Sequence, residues 1–300
     1  MAETALIVTE KPGRRRRRPA PTTARRGDRK GNIPRVLIVA FLLVLTLFPL
    51  YYLVVTSLKS SGESKTNMFL PPLRGVHFEN WLRVVPEVAQ PAWNSTVIVV
   101  GAVVILLAIM APCAYAFTWH RFPGKERLFT VAIVTMMLPS ILTLVPQFIL
   151  VKNLGLLNSK WAVILPCVAA SVGLSLYLLR AFFSALPEDL VEAARMDGAS
   201  EMRILVQVIL PLTGPALITV AVLTAAAVWN QYLWPLITLT DPAERVASVA
   251  ATFFASNPYT ASSVPVLMSA YLISSLPLLI IMGVLLKYFM SGATQGALKG

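Results

Sequence analysis

Two short stretches of this 300-residue chain carry residue types that could do specific work. The first is Leu186-Pro187-Glu188-Asp189-Leu190-Val191-Glu192-Ala193-Ala194-Arg195-Met196-Asp197-Gly198-Ala199-Ser200, which reads as a short helix, a sharp turn and the start of a second helix. Pro187 suits a first helical position, Glu188 and Asp189 complement the positive start of a helix, and Arg195 complements its end. Gly198 can supply the positive φ that stops the helix, and Ser200 can cap the next one. Leu190, Ala193 and Ala194 share one side, where small side chains let another surface come close. The work implied is docking. The plainer reading is an amphipathic connector lying on a membrane surface.

The second stretch is Trp229-Asn230-Gln231-Tyr232, which joins stacking rings to amide groups. A sugar, with an apolar ring face and a rim of hydroxyls, asks for that combination. Equally, Trp229 and Trp234 fit the aromatic belt of a membrane edge, with the amides satisfying neighbouring helices.

Chemistry of other kinds finds no foothold. The sequence has no G-x-x-x-x-G-K-[ST] phosphate loop, no H-E-x-x-H and no G-x-S-x-G. His77 and His120 are far apart, and Cys113 and Cys167 each sit inside a long apolar run, as small buried hydrophobes do. Neither a metal cluster nor an enzyme is expected.

These stretches must be positioned by a membrane protein, because 56% of residues are hydrophobic and only 13% charged. Segments free of Asp, Glu, Lys and Arg run over 36–58, 88–120, 128–151, 161–179, 204–240 and 246–286, each reaching the roughly 20 residues that span a bilayer. Trimmed at their own breakers, Pro211, Pro215 and the polar segment 256–260, they predict an all-α membrane protein of six helices over 36–58, 94–117, 128–151, 161–183, 213–237 and 264–289. A barrel is excluded, since its strands would alternate polar and apolar. Trp93, Trp119 and Trp161 fall at span ends, where amphipathic rings sit at the headgroups. Pro49, Pro139, Pro146 and Pro277 inside spans read as packing features rather than hinges.

The net charge of +12 is concentrated at the amino terminus. Residues 1–35 read as a disordered basic tail that sets topology and contacts anionic lipid, with no nucleic-acid role. The tail places both termini in the cytoplasm. Residues 59–92 then form an extracytoplasmic loop, in which Phe78, Trp81, Leu82 and Val85 stand at the spacing of an interfacial amphipathic helix. A permease core follows over 93–290, with loop 187–211 inside, and a cytoplasmic tail closes the chain over 291–300. The predicted spans lack ionisable residues in their middles, unlike most ion-coupled transporters, so energy for uphill transport would enter from elsewhere.

At this point the sequence resembles a known family. Glu192-Ala193-Ala194, Gly198 four residues later and the terminal Ile209-Leu210-Pro211 are similar to the EAA loop of ATP-binding-cassette importer permeases. Asn153-Leu154-Gly155-Leu156-Leu157-Asn158-Ser159, Ile164-Leu165-Pro166, Trp229-Asn230-Gln231-Tyr232-Leu233-Trp234-Pro235, Arg121-Phe122-Pro123-Gly124-Lys125 and the ending Gly296-Ala297-Leu298-Lys299-Gly300 resemble its carbohydrate branch, in particular the maltose-type second permease. The arginine-rich tail is no part of that pattern, and Gln231 stands where an acidic residue is often found.

The resemblance implies a type I importer permease fold in a bacterial or archaeal cell membrane. It implies a second, homologous permease as heterodimer partner, two ATPase subunits, an extracytoplasmic solute-binding protein, and a sugar or oligosaccharide as cargo. No cofactor is expected in this chain, ATP and Mg belonging to the ATPase. By resemblance Glu192, Ala193, Ala194, Asp197 and Gly198 couple to the ATPase, and Trp229, Asn230, Gln231 and Tyr232 are candidates for the substrate path. A secondary transporter or channel acting alone, and a structural membrane subunit, remain the alternatives.

Overall fold

The computed structural model describes residues 33–256 and 263–297. The basic tail as far as Asn32, the polar segment 257–262 and the last three residues lie outside the described residues. Two units are distinguished, Met1–Phe48 and Pro49–Gly300. In the first, the described part is the start of helix α1 (Ile33–Ser57), whose side chains from Val36 to Phe48 are exposed.

In the second unit α1 runs on to Ser57 and is followed by the single turn α2 (Glu63–Thr66), then α3 (Glu79–Trp119), α4 (Lys125–Thr135) and α5 (Ser140–Asn153). Next come α6 (Trp161–Phe183), α7 (Glu188–Met196), α8 (Glu201–Ile204), a π turn over Leu205–Ile209 and α9 (Leu210–Leu212). The chain ends through α10 (Gly214–Trp229), α11 (Leu233–Thr238), α12 (Ala247–Ser256) and α13 (Val264–Ala297). Four helices, α1, α3, α6 and the apolar part of α13, are long and apolar enough to cross a membrane, and two bent pairs make up six.

The bent pairs depart from the expected spans for physical reasons. The third span is split into α4 and α5, which meet at 99°. Met136, Met137 and Leu138 unwind through tight bonds to Ile133, Val134 and Thr135, and Pro139, which lacks an N–H and keeps its predecessor out of helical conformation, completes the break. Pro139 is therefore a corner, not a packing feature, whereas Pro49, Pro146 and Pro277 sit inside continuous helices. The expected fifth span, 213–237, is also divided: α10 leaves the Glu201–Leu212 segment at 80° and stops at Trp229.

The second span is longer than expected. α3 absorbs the segment that was to be a separate interfacial helix, so the loop ends at Phe78 and one 41-residue helix carries Trp81 and Val85 into the span. At about 1.5 Å per residue it is roughly 60 Å long, twice the hydrocarbon thickness. It is the centre of the bundle, packed on α6, α10 and α13. With little hydrophobic drive between helices in lipid, close packing supplies the attraction, and the buried positions are accordingly small or tightly filled: Ala102, Ala114, Ala162, Ala216 and Ala225 beside Leu106, Leu179 and Phe183. Gly173 marks the closest approach, because a Cβ there would run into the Ala132 carbonyl oxygen and the Met136 side chain.

Candidate functional site

Side-chain contacts fix the two ends of the bundle. At one end Trp119 of α3 stacks on Phe183 of α6, ring centroids 5.8 Å apart, and Arg180 of α6 pairs with Glu126 of α4 at 2.7 Å. Lys125 Nζ closes α3 there by donating to the carbonyls of Thr118 and His120 at 3.2 and 3.0 Å. Trp119 is thus part of the packed end, while Trp93 and Trp161 are exposed.

The first stretch lies at this end. α7 begins at Glu188, with Pro187 just before it in extended conformation rather than inside its first turn. Its far end closes as a Schellman motif: the Ala199 N–H reaches the Ala194 carbonyl at 3.1 Å, the Gly198 N–H reaches Arg195 at 3.0 Å, and Gly198 has φ +75. Ser200 stands at the start of α8 in extended backbone, but its side chain makes no capping bond. Its carbonyl instead accepts from Ile204 at 2.9 Å.

α7 is seated through Val191, which is buried, and Ala194, which packs against the core. Ala194 is half-buried against the permease body, while Ala193 beside it is exposed. Leu190, Glu192, Ala193, Met196, Asp197 and Gly198 are exposed, Met196 at 87%. The later Ile209-Leu210-Pro211 anchors the same segment: Ile209 is fully buried, Leu210 packs on the core, and Thr213 Oγ1 donates to the Ile209 carbonyl at 2.7 Å.

Two residues that the sequence analysis passed over, Glu201 and Tyr115, join this loop to the bundle. Glu201 Oε2 accepts from the Tyr115 hydroxyl at 2.6 Å, its Oε1 accepts from Arg195 Nε at 2.9 Å, and His120 Nε2 lies 3.6 Å away. The hydrogen bond to Glu201 pushes the Arg195 guanidinium further above its ordinary value. Tyr115 and Glu201 are 86 positions apart, which is why no local pattern announced the pair.

The second stretch divides. Trp229 is the buried last residue of α10, and residues 230–232 form a break rather than the middle of a span. Asn230 Nδ2 donates to the Ala226 carbonyl at 2.8 Å, closing its own helix. Trp234 is no belt residue, since it is buried and its indole donates to the Ala162 carbonyl at 2.8 Å. Tyr232 is exposed. Gln231 alone of the four lines a groove of about 190 Å³ between α6 and α10, with Cys167, Ser171, Ser175, Thr224 and Val228. The groove has no charged residue in its lining.

The opposite end is sewn by amides. Asn94, fully buried on α3, donates to the carbonyls of Ala243 and Arg245 at 2.8 and 3.0 Å. Asn158, in left-handed conformation at φ 56, accepts at Oδ1 from the backbone of Thr240 and Asp241 at 2.7 and 2.9 Å. The loop over 59–78 is held in the same manner: buried Lys59 donates to the Asn67 carbonyl at 2.7 Å, and Asn80 donates to the carbonyls of Ser57 and Lys59 at 2.9 Å each.

Comparison with known proteins sets this arrangement among relatives. A family profile described as the binding-protein-dependent transport system inner membrane component matches residues 104–294. The trehalose/maltose transport system permease protein of Thermococcus litoralis is 32% identical over 282 residues, covering 91% of this chain and 99% of that one. The diacetylchitobiose uptake system permease protein of Streptomyces coelicolor is 30% identical over 258 residues, 85% of each chain. Among solved structures, a chain of a bacterial ABC transporter involved in import of the acidic polysaccharide alginate superposes with TM-score 0.74 at 26% identity, over 88% of this chain and 98% of that one.

Proposed function

From the premise that this chain belongs to the family of binding-protein-dependent transport system inner membrane components, we propose that it carries a neutral sugar or oligosaccharide across a bacterial or archaeal cell membrane as one half of a permease heterodimer. What the family membership fixes is coarser: the chain is a multi-pass permease subunit of an ATP-driven importer, not an enzyme, and works with a partner permease, an ATPase and a binding protein. That excludes a transporter or channel acting alone.

The observation that carries the rest is the docking helix α7. It is seated on the bundle by Val191 and Ala194, ended by the positive φ of Gly198, and leaves Glu192, Ala193 and Asp197 open at the surface. In the proposed complex one such helix from each permease enters a groove on one of two ATPase subunits, which bind ATP and Mg. Glu192 supplies charge-assisted hydrogen bonds, Ala193 close contact, and Asp197 and Gly198 the turn that aims the helix. ATP-driven closure of the ATPase pair then moves the α7 helices together and tilts the bundles.

The cargo reading rests on relatives whose names carry trehalose, maltose and diacetylchitobiose, and on the groove between α6 and α10. Hydroxyls of Ser171, Ser175 and Thr224 and the Gln231 amide would pair with sugar hydroxyls, and the absence of Lys or Arg in that lining favours a neutral cargo over an acidic one. Trp229, Asn230 and Tyr232 adjoin Gln231 in the chain without lining the groove and would act by shaping the break that presents Gln231.

The test is purification of the tagged complex from mild-detergent membranes with and without Gly198→Val. A β-branched residue is a strong outlier at φ +75. Wild type should bring down a second permease and the ATPase, and the variant should keep the permease partner and lose the ATPase. Full retention of the ATPase by a well-expressed Gly198→Val chain would overturn the docking role of α7.

A further inference from the structure

The Schellman turn that aims α7 also isolates it. Between Met196 and Glu201 only four residues connect the docking helix to the rest of the chain, and the apolar seat under it is Val191 with part of Ala194. A push delivered to α7 could rotate it about that turn without moving the long helix at the centre of the bundle. One polar link crosses the turn and reaches the bundle. Arg195 in the last turn of α7 grips Glu201 with two nitrogens, Nε on Oε1 at 2.9 Å and Nη2 on Oε2 at 3.2 Å. The same Oε2 accepts from the Tyr115 hydroxyl at 2.6 Å. Tyr115 is 4% exposed, packs on Trp119 at 5.0 Å between ring centroids, and Trp119 stacks on Phe183 of α6. The path therefore runs from α7 through one carboxylate into α3 and across to α6.

We propose that Glu201 is a positioning residue that locks the docking helix to the second span, so that displacement of α7 is delivered to α3 instead of being lost in the Gly198 turn. This rests on the reading of α7 as the ATPase dock. The geometry suits the task because a carboxylate held by a guanidinium fork and a phenol at once has its orientation fixed from two sides, and charge-assisted bonds of this kind are the stiffer ones. His120, 3.6 Å from Oε2 and edge-on to the Tyr115 ring at 5.5 Å, closes the remaining side. With this lock, α7, α8 and α3 move as one piece, and the bend at Thr213, where α9 and α10 meet, is left to flex.

The experiment is a spin-label distance measurement on the assembled complex in nanodiscs, with the complex otherwise free of cysteine and labels at Glu188→Cys on α7 and Ile109→Cys on α3, both exposed. Wild type should give the same distance distribution without nucleotide and with a non-hydrolysable ATP analogue. Tyr115→Phe, which removes one hydroxyl from a retained ring, and Glu201→Gln should keep the ATPase bound yet let the distance shift or broaden when the analogue is added. A distance that stays fixed in both variants, or one that changes in wild type, would overturn the lock. Loss of the ATPase from both variants would overturn it too, since a positioning residue leaves the docking face intact. Failure of the ATPase to accompany wild type would instead defeat the docking reading and the lock with it.

Discussion

The two ends of the bundle are held together by different physics. At the α7 end two links are ion pairs, Arg180–Glu126 and Arg195–Glu201, and the second is open to water, its side chains 37% and 46% exposed. At the opposite end the fully buried Asn94 amide and Lys59 ammonium donate to backbone carbonyls. Exposed pairs contribute from nothing to about 1 kcal/mol each, whereas stranding a buried polar group costs about 1–3 kcal/mol. On the proposed reading of α7, residues that recognise a partner and residues that keep the chain folded are thus largely separate sets. A surface that must bind and release is built from groups that water can also satisfy.

Substitutions should sort by end. Ala193→Arg places a long charged side chain on the docking face and should abolish binding-protein-stimulated ATP hydrolysis, while thermal unfolding in detergent stays within about 0.5 kcal/mol of wild type, as for other exposed positions. Asn94→Leu does the converse. It strands the carbonyls of Ala243 and Arg245 and should lower stability by about 2–4 kcal/mol in thermal denaturation, with the ATPase still co-purifying. A large stability loss in the first variant, or loss of the ATPase in the second, would break the division. Lys160→Gln removes an ion pair at the sewn end, to Glu244 at 2.7 Å, whose side chains are 28% and 27% exposed. It should cost under about 1 kcal/mol and fade with added salt. A loss as large as that of Asn94→Leu would show that charges, not amides, carry this end.

Much of the plan was legible because a membrane imposes one strong rule, that an apolar run of sufficient length becomes a helix. The four long apolar helices and the position of α7 with its Gly198 stop followed from that rule and from capping chemistry. The corner at Pro139 did not, since proline is tolerated in membrane helices and Pro49, Pro146 and Pro277 sit in continuous ones. The continuity of α3 through Pro86 and Pro91 was hidden for the opposite reason, that prolines and charges in a loop read as an end. Asn158 was visible as part of a motif, but its left-handed backbone and its grip on Thr240 and Asp241 need a loop 80 residues away. Glu201 and Tyr115 look like an ordinary helix start and a span-edge ring until the fold brings them together.

The corner between α4 and α5 bears on how cells keep this protein. Met137 and Leu138, at its apex, are 78% and 55% exposed, and the backbone there has left the helical ladder. Pro139 has no N–H to offer, and hydrocarbon cannot satisfy a carbonyl left without a donor, so such a corner persists in a bilayer only against protein or a wet path. If the partner permease covers that corner, a subunit synthesised in excess would keep it against lipid, and its population would drain into unfolding and proteolysis. Abundance of this chain should therefore follow the abundance of its partner, with matched synthesis as much a condition of folding as any side chain.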